Sequence, residues 1–247
     1  MTTHMIEIST AEGVAKAVLV KPADAIASKA GVILYMDIFG LRSTLTTMAE
    51  RLANEGYTVL VPDLFYRFEN KQDFDPKTAF SDPVAGPKLK AMKLETTQAM
   101  TASDSAAFIA ALDEAGATGP VGVVGYCMGG AYALTAAARY AARVAAAASF
   151  HGGNLATDAP DSPHFGAQSI KARVYVGAAG VDGSFPPAQA GRLAEAMAEA
   201  EVDFMLENYK DMKHGWTISD HGVYDRDGSE RHWTRLLTFL GETLKSA

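Results

Sequence analysis

The sequence is poor in cysteine: Cys127 is the only one among 247 residues. A single cysteine excludes an internal disulfide and leaves a thiol, which is typical of a protein from a reducing compartment. The first residues, Met-Thr-Thr-His, lack the basic and apolar segments of a secretory signal peptide. We therefore expect a cytoplasmic protein.

Runs of lysine or arginine and long apolar runs are also missing. The net charge is −7, from 22 Lys and Arg against 29 Asp and Glu. This acidic balance disfavours nucleic acid or an anionic membrane as a partner. No apolar stretch approaches the roughly 18 residues of a membrane span, although 48% of the residues are hydrophobic and can form a sizeable core. We expect a small-molecule partner.

Patterns for metals and cofactors are absent from the sequence as well. The six histidines and the single cysteine show no metal-ligand spacing, such as two histidines on one helix face. No Gly-rich dinucleotide or phosphate loop follows the first predicted strand. The sequence therefore predicts chemistry by side chains alone, with no cofactor and no metal.

Apolar runs alternate with helical patterns, which is typical of a mostly parallel, doubly wound sheet with helices on both faces. The apolar runs predict strands at 14–20, 31–36, 57–62, 121–125, 144–150, 173–177 and 203–209. Apolar residues at three- and four-residue spacing predict helices at 43–55, around 90–114, at 129–139, at 188–200, and at 229–244 against the sheet edge. We predict one α/β domain spanning residues 1–247.

The stretch from Phe65 to Lys88 interrupts this alternation. It is polar and contains three prolines, so we predict an excursion from the core fold at about residues 65–90. A long excursion after a strand often covers an active site. The alternative, a surface loop without such a role, is equally compatible with the sequence.

The strongest chemical signal is a Gly-x-Cys-x-Gly motif from Gly125 to Gly129, where a predicted buried strand runs directly into a small-residue helix. In a nucleophile elbow the central residue occupies a strained turn, and the flanking glycines avoid backbone clashes. The helix N-terminus favours a thiolate, and the N–H of Met128 would be one oxyanion donor. A lone cysteine often only fills core space, but this context predicts that Cys127 is a nucleophile.

The base is predicted from the order in which triad residues occur in such sheets. The acid and then the histidine follow the nucleophile, each on a loop after a later strand. His214 follows the last predicted strand and is our predicted base, with His221 in a polar loop as second choice. His232 lies in the terminal helical pattern and is predicted to be a surface or packing residue, and His151 and His164 come too early.

The acid is predicted to be Asp182, which follows a strand ending in small residues and precedes two prolines. This places a carboxylate at the carboxyl edge of the sheet, where ligands bind in open α/β folds. Its role would be to orient His214. Asp158, Asp161 and Asp211 are alternatives in more solvated loops, and Asp182 is also compatible with a plain turn role.

Together these segments resemble the dienelactone hydrolase (carboxymethylenebutenolidase-like) family of the α/β-hydrolase fold. The similarity covers nearly the whole chain and rests on Asp-Ile-Phe-Gly at 37–40, Pro-Asp-Leu at 62–64, the cysteine elbow at 125–130, Asp182 and His-Gly at 214–215. The resemblance implies hydrolysis of an ester or enol-lactone through an acyl-cysteine intermediate. It also implies an oxyanion hole made by the backbone N–H groups of Ile38 and Met128.

Asp37 departs from the pattern that the resemblance implies. The best-known members carry a glutamate there, which contacts the resting thiol and helps to form the thiolate. Aspartate is shorter by one carbon–carbon bond, ~1.5 Å, so the contact with Cys127 would be lost or bridged by water. Asp37 is predicted either to act on the thiol or to hydrogen-bond its neighbouring loop.

The substrate-binding residues also depart from the family pattern. Members that open dienelactone hold its carboxylate with arginines, whose planar fork suits a carboxylate. Here His214 is followed by Gly-Trp-Thr-Ile, and no arginine occurs between Arg67 and Arg139. Positive charge near the site would come instead from Lys88, Lys90 and Lys93. This pattern disfavours dienelactone itself as the substrate.

We therefore predict a hydrolase that cleaves a lactone or another small carboxylic ester through a Cys127–His214–Asp182 triad. A thioesterase or a general carboxylesterase would use the same triad. The alternative from a different class is a non-catalytic α/β-hydrolase-fold binding protein, whose thiol would be sluggish.

Overall fold

The computed structural model describes residues 1–69 and 73–245. Residues 70–72, which belong to the predicted excursion, and residues 246–247 lie outside the described residues. The strands are β1 Thr2–Thr10, β2 Gly13–Lys21, β3 Gly31–Tyr35, β4 Thr58–Pro62, β5 Val121–Tyr126, β6 Val144–Phe150, β7 Arg173–Val181 and β8 Phe204–Lys213. The α-helices are α1 Ser43–Ala53, α2 Ala85–Glu95, α3 Gln98–Glu114, α4 Met128–Arg139, α5 Pro187–Glu199 and α6 Arg226–Leu244.

The eight strands form one sheet in the order β1-β2-β4-β3-β5-β6-β7-β8. The pairs β1/β2 and β2/β4 are antiparallel, and the pairs from β4/β3 to β7/β8 are parallel. A parallel neighbour requires a crossover connection, and here helices supply it. The predicted mostly parallel sheet flanked by helices is confirmed.

The helices lie on both faces of this sheet. A Cβ added to Gly31 would meet Leu112 of α3, whereas one added to Gly122 on the neighbouring strand would meet Leu240 and Leu244 of α6. Helix α6 therefore packs across β5, β6 and β7, and the prediction that it covers the sheet edge is wrong. The long apolar side chains of α6 find their largest buried surface over the central strands, not at an edge.

Two further elements differ from the predictions. Strand β1 was not predicted, because it is an edge strand whose residues are mostly exposed and carry little apolar pattern. The helical segment around 90–114 is two helices, α2 and α3. The break lies at Thr96, which has an extended backbone, and the Thr97 side chain caps α3 by accepting a hydrogen bond from the N–H of Met100.

The topology brings several loops to one edge of the sheet. Parallel strands have their carboxyl ends on the same side, so the residues that follow β3, β5, β7 and β8 converge there. These are Asp37, Cys127, Asp182 and His214.

Candidate active site

Cys127 occupies a strained turn between β5 and α4, with φ 57° and ψ −120°. The glycines of its motif are required by close contacts. A Cβ at Gly125 would lie 1.9 Å from the carbonyl oxygen of Gly129, and one at Gly129 would lie 2.4 Å from that of Tyr35. The N–H of Cys127 donates to the Phe150 carbonyl at 3.2 Å. Such strain persists only where its surroundings hold it, and it is common at functional sites.

The side chains of Asp182 and His214 meet directly beside this turn. The Nδ1 atom of His214 lies 2.6 Å from Oδ2 of Asp182. The other carboxylate oxygen accepts hydrogen bonds from the Ser184 N–H at 2.8 Å and the Ser184 hydroxyl at 2.7 Å. Burial raises the pKa of Asp182, but the bonds from His214 and Ser184 outweigh it and lower the pKa. The carboxylate is therefore charged and held in one orientation.

His214 is placed to carry a positive charge. Burial lowers its pKa, but its interaction with Cys127 and its hydrogen bond to Asp182 act in the opposite direction and raise the pKa to about 10. An imidazolium is stabilised by a negative neighbour such as the Asp182 carboxylate. The arrangement thus favours the imidazolium form of His214.

A cavity of about 500 Å³ opens over Cys127 and His214. The two predicted oxyanion residues, Ile38 and Met128, line it. Met128 is the first residue of α4, so its N–H has no acceptor within the helix and is available to a ligand. Much of the remaining wall is apolar and is contributed by side chains such as Phe39.

The predicted excursion contributes to this cavity. Pro76, Lys77 and Phe80 form part of its wall. Of the three lysines predicted near the site, Lys90 and Lys93 on α2 line the cavity. Among the described residues the lining contains no arginine, so lysine ammonium groups are its cationic groups beside the imidazolium of His214.

The contacts of Asp37 bear on its two predicted alternatives, which are action on the thiol and hydrogen bonding in its own loop. Its buried carboxylate pairs bidentately with Arg42, at 2.7 and 2.8 Å, and contacts Nε2 of His221 at 2.8 Å. It also accepts the N–H of Phe39 in its own loop at 3.0 Å. These contacts match the second alternative, in which Asp37 hydrogen-bonds its neighbouring loop.

The partners of Asp37 extend into a larger ionic network. Arg42 also donates to Asp220 from Nε at 2.7 Å and from Nη2 at 3.0 Å. Burial raises the pKa of Asp37, but the hydrogen bonds from His221 and Arg42 and the charge of Arg42 lower it. The network connects the loop that carries Ile38 to the chain segment beyond His214. His221, the second choice for the base, belongs to this network.

We expect Arg42→Met to lower the free energy of unfolding by about 3 kcal/mol, because it leaves the buried charge of Asp37 without its main partner. Since the pKa of Asp37 is lowered, its stabilising contribution is full above about pH 4 and is lost as the pH falls below that value. The loss in Arg42→Met should therefore shrink in acid. Urea unfolding at neutral and acidic pH measures both effects.

Arg51→Met is the matched control, because it breaks the ion pair with Glu230, in which the two side chains are 39% and 54% exposed. We expect that variant to lose less than about 1 kcal/mol. Equal losses in the two arginine variants would contradict the importance of the Asp37 network.

The remaining histidines have different surroundings. His232 is buried, contacts the hydroxyl of Tyr126 at 2.9 Å, and has its pKa lowered to about 3, chiefly by burial. It is a packing residue. His151 was set aside as too early in the chain, yet its Nδ1 atom accepts a hydrogen bond from the N–H of Cys127 at 3.1 Å. The signal that could have identified His151 is its position directly after β6, at the same edge as the other site residues.

Ser184 and Arg42 were also missed by the sequence analysis. The spacing of Ser184, two residues after Asp182, is typical of a turn in which a carboxylate accepts bonds from the following chain, so its contact was accessible from local sequence. Arg42 reaches Asp220 across 178 positions of the chain, and no local pattern predicts such a pair.

The described residues contain neither a cluster of metal-ligating side chains nor a membrane-spanning helix. Over residues 1–69 and 73–245, no group of three or more His, Cys, Asp or Glu side chains is placed to hold a metal ion. No helix in the same ranges is long and apolar enough to cross a membrane.

Comparison with known proteins identifies a family and several relatives that are similar to this chain. The model of the family described as "Dienelactone hydrolase family" matches residues 15–244. A Synechocystis sp. protein named "Putative carboxymethylenebutenolidase" is 27% identical over 219 residues, 87% of this chain and 86% of the relative. The carboxymethylenebutenolidase of Pseudomonas sp. strain P51 is 35% identical over 108 residues, 43% of this chain and 44% of the relative.

A solved structure shares the fold. The crystal structure named "Putative Dienelactone Hydrolase" from Klebsiella pneumoniae superposes with a TM-score of 0.85 and 20% identity, and the match covers 98% of each chain. At this level of identity the likeness concerns the fold.

Proposed function

The chain belongs to the dienelactone hydrolase family, and on this premise we propose that it hydrolyses a carboxylic ester or lactone through an acyl-cysteine intermediate on Cys127. The resemblance inferred from the sequence is confirmed by the family match over residues 15–244, and the α/β-hydrolase fold and ester or lactone hydrolysis follow from that membership. The observation that carries the proposed triad is the 2.6 Å contact of His214 with Asp182 in the cavity that also contains Cys127.

Acylation would begin with attack of the Cys127 thiolate on the carbonyl carbon of the substrate. The negative charge that develops on the carbonyl oxygen would be stabilised by the N–H groups of Ile38 and Met128. As the new S–C bond forms and the C–O bond breaks, the His214 imidazolium donates its proton to the leaving oxygen. In a lactone the alcohol remains attached to the acyl group.

Deacylation would use the same histidine as a base. Once Cys127 is acylated, its negative charge is gone, and one of the two interactions that raise the pKa of His214 is removed. The neutral imidazole can then accept a proton from water as the water oxygen attacks the thioester carbonyl. Collapse of the intermediate releases the carboxylic acid and restores the thiolate–imidazolium pair. Asp182 holds the required tautomer of His214 throughout.

The cavity supports a small substrate with an apolar body. Its wall combines apolar side chains such as Phe39 and Phe80 with the ammonium groups of Lys77, Lys90 and Lys93. A lysine is a flexible point charge and binds a carboxylate less selectively than the planar fork of an arginine. We therefore propose a carboxylic ester or lactone other than dienelactone as the natural substrate.

A substrate panel combined with detection of the acyl-enzyme tests the proposal. Small lactones, short p-nitrophenyl esters and acyl thioesters are compared by kcat/KM, and the protein is digested after rapid mixing with p-nitrophenyl acetate. We expect a burst of p-nitrophenol and an acetylated peptide containing Cys127. Fastest turnover of thioesters would assign the triad to a thioesterase. Turnover without a Cys127 adduct, or no turnover of any substrate, would overturn the proposed mechanism.

A further inference from the structure

His151 is a second histidine in contact with the nucleophile, and the triad does not use it. It is buried, with 1% of its surface exposed, and it directly follows β6. Its backbone has φ 39° and donates its N–H to the Gly177 carbonyl at 2.8 Å. A positive φ is uncommon at residues other than glycine and costs free energy. The surrounding fold therefore holds the His151 backbone in a conformation that it would rarely adopt by itself.

The hydrogen bonds of His151 determine its tautomer. Nδ1 accepts the N–H of Cys127 at 3.1 Å, so that nitrogen carries no proton. The proton therefore resides on Nε2, which donates to the hydroxyl of Thr217 at 2.8 Å. Thr217 lies three residues after His214. One imidazole thus joins the backbone of the nucleophile to the loop that carries the base.

The same ring lies against the base itself. The rings of His151 and His214 meet edge to face, with centroids 5.1 Å apart, and Trp216 closes another side at 5.2 Å. Burial, followed by the charge of His214, lowers the pKa of His151 well below its usual value. The ring is therefore neutral and places no second positive charge beside the imidazolium of His214.

We propose that His151 is a positioning residue for the nucleophile, because its imidazole accepts the N–H of Cys127 and holds the backbone of Cys127 in the strained turn. The inference rests on the triad proposed above. The N–H of Cys127 also has the Phe150 carbonyl as an acceptor, so loss of the imidazole does not leave a buried donor without a partner. The main consequence of losing His151 is that the Sγ atom of Cys127 is held less accurately in position for attack on the substrate carbonyl.

A pair of substitutions separates the hydrogen-bond acceptor from packing, since neither asparagine nor leucine reproduces the contact of Nε2 with Thr217. In His151→Asn the amide oxygen stands at the place of Nδ1 and accepts the same N–H, and asparagine tolerates a positive φ. In His151→Leu the volume is similar but the acceptor is lost. We expect His151→Asn to keep kcat within about 5-fold and His151→Leu to lose about 100-fold in kcat, with KM little changed, because small misplacements of reacting groups cost about this much.

The readouts are kcat and KM for p-nitrophenyl acetate, the melting temperature, and the rate of Cys127 alkylation by iodoacetamide. Alkylation should be fast in the wild type and in His151→Asn and at least about 10-fold slower in His151→Leu. Equal kcat and alkylation rates in the two variants, or losses that only follow the melting temperature, would overturn the role of His151. If the proposed triad mechanism is wrong, the wild-type protein forms no acyl-enzyme. The alkylation rates of the two variants would still test the proposed role of His151 in that case.

Discussion

Cys127→Ala is expected to lower the hydrolysis rate by about 10⁴-fold or more, because loss of a nucleophile removes the whole covalent route and leaves only binding and oxyanion stabilisation. The burst of p-nitrophenol should disappear together with the acetylated peptide. The cavity and its other lining residues remain, so substrate binding should change little. Stopped-flow kinetics and equilibrium binding of a slow substrate measure the two effects separately.

The strained backbone at position 127 provides a control on folding. Alanine keeps the unfavourable φ of 57°, whereas glycine adopts it without strain. The free energy of unfolding of Cys127→Gly should therefore exceed that of Cys127→Ala by at least about 1 kcal/mol, although both variants lack the thiol. Two inactive variants of different stability would exclude misfolding as the cause of inactivity. Residual burst kinetics in either variant would show that Cys127 is not the nucleophile.

Asp182→Asn is expected to lower kcat by about 10³- to 10⁴-fold, as in other hydrolases in which the acid of a triad becomes an amide. The amide removes the negative charge beside His214, and its NH₂ group can face Nδ1 and favour the wrong tautomer. The interaction with Asp182 helps to raise the pKa of His214 to about 10, so this pKa should fall in the variant.

The pH profile distinguishes this effect from a general loss of structure. With His214 as the acid for the leaving group, activity declines in alkaline solution as the imidazolium loses its proton. In the wild type this decline should occur near pH 10, and in Asp182→Asn it should move to lower pH. Asp158→Asn is the control, because that carboxylate is exposed and pairs with Arg192 at the surface. An unchanged alkaline limb in Asp182→Asn would contradict the proposed contact.

The ionic network of Asp37 gives this chain a different organisation from the one that the family resemblance implied for the thiol. Arg42 and His221 occupy the carboxylate, so we propose that His214, which contacts Asp182, is the group that activates the thiol. The network still serves the site, because it holds the loop of Ile38. Substitutions in it should therefore act on stability and on oxyanion binding more than on the ionisation of Cys127.

Several features of the site were predictable because they depend on residues near one another in the chain. The elbow around Cys127 is defined by the sterics of a tight turn, and both of its glycines are required by backbone contacts under 2.5 Å. Asp182 and His214 were identified because each follows a strand, and the carboxyl ends of parallel strands share an edge. Their meeting in one cavity is a geometric consequence of that topology.

Local sequence by itself thus determined most of the strands and helices, the elbow and the order of the predicted triad, since sterics and apolar periodicity act over a few residues. Only the tertiary structure decided which charged and polar groups meet. Asp37 faces His221 across 184 positions, and His151 faces Thr217 across 66. A buried carboxylate or imidazole takes whichever partner the packed chain brings within about 3 Å, and no spacing in the sequence specifies that partner.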